Sequence, residues 1–163
     1  QFREYLIDCQ HHSLKEYPWL AELLQFEWLE LYLDTVEIAK KTLSWQDKWQ
    51  LNTQVWVRVY KYPVYQWTSS MSITEIEHMP SVIMVWRNDQ YYICIETLSA
   101  LFAVVIEQLN QQELVEQDIK NLIKATFPDF SNTQIQIQVY ELKVLLTRLK
   151  LLDAPNNNDE EKG

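Results

Sequence analysis

The sequence predicts an α+β protein: long N-terminal helices packed on a small antiparallel sheet, then a three-helix, winged-helix-like C-terminal portion. Three observations carry that reading. Tyr17–Leu33, YPWLAELLQFEWLELYL, repeats apolar residues at helical spacing. Val55, Val57 and Val59 alternate with Trp56, Arg58 and Tyr60, as in a strand with two chemically different faces. Val82–Trp86 and Tyr91–Ile95 flank Asn88-Asp89, a hairpin signal.

Taken in order, Gln1–His12 reads as a helix with Phe2, Tyr5, Leu6 and Cys9 on one face. Residues 1–16 are read as the end of an N-terminal helical domain or a linking helix. A long helix is predicted over Pro18–Lys40, where Pro18 suits a first turn that needs no N–H donor. Its stripe is Leu20, Leu23, Leu24, Trp28 and Leu31, and Glu27 falls on the same stripe. A buried carboxylate needs a partner, because an unpaired charge is costly in an apolar setting. Glu27 and Trp28 are therefore expected to anchor this helix from within. Arg58 and Arg87, then Tyr60, are the expected partners of Glu27. Removing half of such a buried pair would cost about 3–5 kcal/mol.

Thr42–Thr53 is polar, with Trp45 and Trp49 embedded, and reads as a loop with a turn of helix. Tyr62-Pro63 interrupts the first strand, and Val64–Trp67 is predicted to continue it past a bend. Thr68–Met79 reads as a loop. Three helices are predicted over Leu98–Leu109, Gln112–Thr126 and Gln134–Leu152, the last two separated by Phe127-Pro128-Asp129. Ser131 or Asn132 is placed to cap the third. Ile135–Tyr140 also alternates like a strand. The main domain spans 17–152, and 153–163 reads as a disordered acidic tail.

Composition narrows the function. The 163 residues are 47% apolar, enough for one domain with a sizeable core. Seven Trp and nine Tyr supply large anchors that suit cores and interfaces alike. The net charge of −9 disfavours binding to a phosphate backbone. Cys9 and Cys94 form no CxxC motif and suit a reducing, cytoplasmic setting. No apolar run approaches the roughly 18 residues of a membrane span, and no signal peptide is visible. The chain opens on what reads as mid-helix, without Met, so residues before Gln1 are expected.

Candidate chemistry is sparse. Cys9 and His12 share a helix face, but a zinc site needs three or four ligands, and the other histidines are His11 and the distant His78. Glu75, Glu77 and His78 read as a solvated loop cluster. The single glycine is Gly163, which leaves no phosphate cradle and no nucleophile elbow. Pairs such as Glu27 and Glu30 are routine on helical faces. No catalytic, cofactor or metal residue is assigned, and an enzyme is not expected.

The hairpin followed by three helices fits either DNA reading or peptide capture at a sheet edge. The middle helix is acidic, with Glu113, Glu116 and Asp118 against Lys120 and Lys124. Lys143, Arg148 and Lys150 make only a modest patch on the last helix, so charge favours the peptide. Trp56, Tyr60, Trp67, Trp86 and Tyr91 are the candidates for exposed partner-binding aromatics, about half of which alternation should turn inward.

The segment Pro18–Leu31 resembles the bacterial "DNA-binding domain" family, so named by analogy. That family includes the partner subunit of methanobactin-type, iron-dependent peptide-modifying enzymes. Its Pro-x-Leu-x-Glu-Leu-x-x-Tyr-Glu-Trp pattern falls on Pro18, Leu20, Glu22, Leu23, Phe26, Glu27 and Trp28. A second patch falls on Leu51, Asn52, Tyr60, Pro63 and Val64, and a third on Arg87, Glu96 and Leu98–Phe102. Thr53 stands where the family tends to have Pro, Phe26 replaces Tyr, and Glu96-Thr97-Leu98 lacks the family's Asn. The resemblance implies the C-terminal domain of a non-catalytic subunit, without a cofactor. Its partner would be a TIM-barrel metalloenzyme that modifies cysteine in a ribosomally made peptide, and the peptide would bind by strand addition. The alternative is a DNA-binding transcriptional regulator whose basic part lies mostly upstream of Gln1.

Overall fold

The computed structural model describes residues 17–38, 48–66 and 76–153. The predicted helix Gln1–His12 with its Cys9, His11 and His12, the residues Trp45, Trp67 and Glu75, and the tail after Asp153 lie outside them. The protein is α+β, with helices α1 (Leu20–Thr35), α2 (Ala100–Gln111), α3 (Glu116–Thr126) and α4 (Asn132–Arg148). Its strands are β1 (Lys48–Trp49), β2 (Trp56–Tyr60), β3 (Ser81–Arg87), β4 (Ile93–Leu98) and β5 (Leu114–Val115). The chain forms two compact units: Gln1–Glu37 with Trp56–Leu98, and Ile38–Val55 with Ser99–Gly163.

In the first unit β2, β3 and β4 form an antiparallel sheet with β3 in the middle. Alternation and register place Trp56, Arg58 and Tyr60 on the same face as Ile83, Val85 and Arg87. Helix α1 packs on that face, as Phe26 against Tyr60 and Tyr32 against Trp56 show. Central β3 is buried from Ile83 through Trp86, as its unbroken apolar run requires. The β3–β4 turn rests on Asn88. Its amide donates to the Tyr92 carbonyl, its carbonyl accepts from Tyr91, and its Oδ1 accepts from the amides of Gln90 and Tyr92. Tyr91 closes the turn at φ 66°, the left-handed position of a three-residue hairpin loop.

Two elements of this unit differ from expectation. Helix α1 ends at Thr35, short of Lys40, because Val36 turns extended at φ −77° and ψ 141°. Val64–Gln66 forms a single 3-10 turn and does not continue β2. Pro63 brings no N–H to a ladder, and its carbonyl instead accepts from Gln66.

In the second unit β1 pairs antiparallel with β5, Lys48 opposite Val115 and Trp49 opposite Leu114. The predicted helix Gln112–Thr126 therefore divides: its first residues join this pair, and α3 starts at Glu116. Glu116 and Asp118 in the first turn and Lys124 in the last complement its dipole. Ser131 caps α4 through a capping box with Gln134. Ile135, Val139, Leu142 and Leu146 are its buried line, so the alternation over Ile135–Tyr140 resolves as helix and Ile137 faces outward. Asn110 acts as a substitute strand: its Oδ1 accepts from the Val55 amide and its Nδ2 donates to the Val55 carbonyl.

Helix α4 ends in a Schellman motif. The Leu151 amide bonds the Leu146 carbonyl, the Lys150 amide bonds the Thr147 carbonyl, and Leu146 and Leu151 are buried together. Lys150 occupies the left-handed position at φ 59°, where a Cβ is unfavourable by roughly 1–2 kcal/mol. Lys150→Gly is expected to stabilise the protein by about 0.5–1 kcal/mol, the strain relieved less the added chain entropy. Lys150→Val should destabilise it. Paired urea melts check both, and a Lys150→Gly protein less stable than wild type would contradict the motif.

Candidate functional site

Helix α1 is tied to the sheet at both ends. Glu22, in its first turn, shares a face with Phe26, Leu29 and Leu33. Its Oε1 accepts from the Lys61 amide at 2.8 Å and its Oε2 from the Tyr62 amide at 2.9 Å. Those amides lie where β2 ends, and the carboxylate satisfies both. At the other end the Arg87 guanidinium donates to the Leu33 carbonyl at 2.6 Å. The last turn of α1 has no basic residue of its own, so a strand supplies the charge that a helix C-terminus favours. Phe26 meets Tyr60 edge-on at 6.3 Å between these ties. The Tyr60 hydroxyl is buried without a hydrogen-bond partner among the described residues. Burial pushes its ionisation upward, Arg58 opposes this, and Glu22 adds to it.

This seating corrects the expected face of α1. Its buried line is Phe26, Leu29 and Leu33, not Leu24, Trp28 and Leu31. Glu27 is exposed, and Trp28 is 61% exposed, so neither anchors the helix from within. Arg87 binds a carbonyl, and exposed Arg58 folds back onto the Val57 carbonyl at 3.0 Å. The carboxylate with a structural role is Glu22. Its address is a pair of backbone amides, which no residue pattern displays.

The partner-binding candidates also separate. Tyr60 is 1% exposed and Trp86 is buried, so both are core and not docking anchors. The aromatic face of β2 is turned toward α1, which leaves Val59 72% exposed. Trp86 sits on the central strand, with a strand on either side. Trp56 is half-buried against Tyr32, their rings 6.0 Å apart at 79°. Tyr91 is exposed at the hairpin tip, with the Arg87 guanidinium 5.4 Å above its ring. Trp67 lies outside the described residues.

What remains on the surface is a continuous aromatic run. Trp28 and Tyr32 stack at 5.4 Å with ring planes 8° apart, and Tyr32 abuts Trp56 of β2. Leu24 and Leu31 extend the patch along α1. Beside it Glu27, Glu30 and Asp34 form a row at helical spacing, and burial followed by the Glu27 charge pushes the Glu30 carboxyl upward. Such a surface is suited to contact by area, stacking and charge. It offers no nucleophile with a base beside it.

Elsewhere the chemistry is thin. A cleft of about 280 Å³ between α3 and α4 is lined by Lys120, Lys124, Gln117, Asn121, Asn132 and Gln136. The Lys124 ammonium is engaged by the carbonyls of Pro128 and Phe130, a tie across the turn between the two helices. Among the described residues no group of His, Cys, Asp and Glu is placed to hold a metal ion, and no helix is long and apolar enough to cross a membrane. Burial raises the ionisation of the Cys94 thiol, and hydrogen bonds with Asn88 counter it. Neither models of known protein families nor curated protein sequences match the chain.

Glu22→Ala should cost about 2–3 kcal/mol by losing two charge-assisted bonds. Glu27→Ala should change stability by less than about 0.5 kcal/mol. Tyr60→Phe should be neutral or stabilising, since it removes an unpaired hydroxyl. Denaturant melts of the three variants check this ranking. Glu30, with a raised ionisation, destabilises the folded chain above its folded value, and that penalty is lost as pH falls toward the ordinary carboxylate value. Glu27→Gln should therefore raise Tm at neutral pH and leave it unchanged near pH 3.5, about a unit below the ordinary value.

Proposed function

We propose that this chain is a non-catalytic recognition subunit that binds a protein partner and, with it, an extended peptide. The observation that carries the reading is β2. Among the described residues it pairs only with β3, and beside it the exposed Trp28 and Tyr32 run on to the half-buried Trp56. An edge strand offers a row of N–H and C=O groups to an added strand. Aromatic rings alongside supply area and side-chain selection. The motif resemblance supplies the partner class, a TIM-barrel metalloenzyme acting on a ribosomally made peptide, and the reading places the pair in the cytoplasm.

The DNA-binding reading rests on α2, α3 and α4 following a hairpin in winged-helix-like order. Charge weighs against it. Ile137, Tyr140 and Val144 form an exposed apolar line on α4, and its exposed cations are Lys143 and Arg148 alone, few for a reading head.

The test starts from the neighbouring genes, one of which is expected to encode such a metalloenzyme, and continues with size-exclusion chromatography of the chain with that enzyme. Co-elution at tens of micromolar is expected, which requires a Kd at or below about that concentration. The precursor peptide should join the complex, and a version N-methylated at alternate backbone amides should not. Separate monomers would overturn the reading, and a salt-dependent shift of duplex DNA would select the regulator instead.

A further inference from the structure

We propose that the outward face of α1 docks an amphipathic helix of a partner protein, one whose apolar stripe is flanked by Lys or Arg. This rests on the recognition reading above and names the chemistry of the partner.

Spacing points to a helix. Leu24, Trp28 and Leu31 stand at i, i+4 and i+7, the seam along which two helices interdigitate. Trp28 and Leu31 are 61% and 64% exposed, so the seam is open. Isolated exposed apolar residues need no explanation, but this group is continuous with the stacked ring of Tyr32. The inward face of α1 is already filled by the sheet, so the outward seam adds nothing to the core of this unit. An extended peptide takes its pairing from the edge of β2, where side chains repeat every two residues, whereas the seam on α1 repeats at helical spacing.

Charge selects the kind of helix. Glu27 and Asp34 are seven residues apart and flank the seam, in the positions from which paired helices choose their partners. Glu30 lies between them. Residues 17–38 contain five acids and no Lys or Arg. Burial first and the Glu27 charge second push the Glu30 carboxyl upward, and a cationic flank would relieve the second of these. A second copy of the chain is a poor occupant, because two such faces would set like charges against each other.

The probes are two 21-residue helical peptides with Leu at the a and d positions, one flanked by Lys and the other by Glu. Calorimetry with the full chain at low salt should show the Lys peptide binding at least tenfold more tightly, with the ratio shrinking at high salt. Trp28→Ala with Leu31→Ala should weaken binding at least tenfold while circular dichroism stays native, since both side chains are exposed. Glu27→Lys with Asp34→Lys should invert the preference. Equal affinities, no heat from either peptide up to about millimolar concentration, or binding untouched by the Trp28 and Leu31 changes would overturn the proposal. So would self-association abolished by those changes. These outcomes are separable from the edge-strand reading, whose N-methylated peptide control does not depend on the α1 variants.

Discussion

The two ties that seat α1 on its sheet govern the rest of the first unit. A helix apolar around most of its circumference has no strong rotational preference. The Glu22 carboxylate on the amides of Lys61 and Tyr62, with Arg87 on the Leu33 carbonyl, leaves it one rotation. That rotation drives Phe26, Leu29 and Leu33 inward and leaves Leu24, Trp28 and Leu31 outside. Both ties join a charged side chain to a backbone group, so neither depends on a matching side chain and neither leaves a charge stranded. Their strength lies in satisfying chain ends, the exit of a strand and the last turn of a helix, where partners are scarce.

The second unit solves the same problem with amides. Asn110 completes the backbone pairing of Val55, and the Asn52 Nδ2 donates to the Lys150 carbonyl while its own amide donates to Leu151. Short segments that could not form a ladder are thereby held by single side chains. The two-residue pair of β1 and β5 is held differently, with Trp49 buried and the Lys143 ammonium 5.8 Å above its ring. Polar side chains addressed to backbone recur through both units.

Much of this architecture was legible in the sequence. The α+β class, the hairpin around Asn88, the break at Phe127-Pro128 and the Ser131 cap all follow from local chemistry acting on adjacent residues. The face of α1 was not legible. Leu20, Leu23, Leu24, Phe26, Trp28, Leu29, Leu31 and Leu33 satisfy two helical stripes at once, and the long-range ties of Glu22 and Arg87 decide between them. The same seating buries Tyr60 of β2 and leaves Val59 on the surface, which removes Tyr60 from the docking aromatics. β5 was hidden because Leu114 and Val115 fit the period of the helix that follows them. Leu24, Trp28 and Leu31, expected in the core, are the surface left uncovered.

Glu22 has one further consequence. The amides it holds belong to Lys61 and Tyr62, thirty-nine and forty residues along the chain. Local opening that lifts α1 would strip both protons of their acceptor, while the β2–β3 ladder could stay closed. Hydrogen exchange at these two positions is thus coupled to the residence of a distant helix. Two backbone protons become the chain's own gauge of whether α1, and the aromatic surface it carries, is seated.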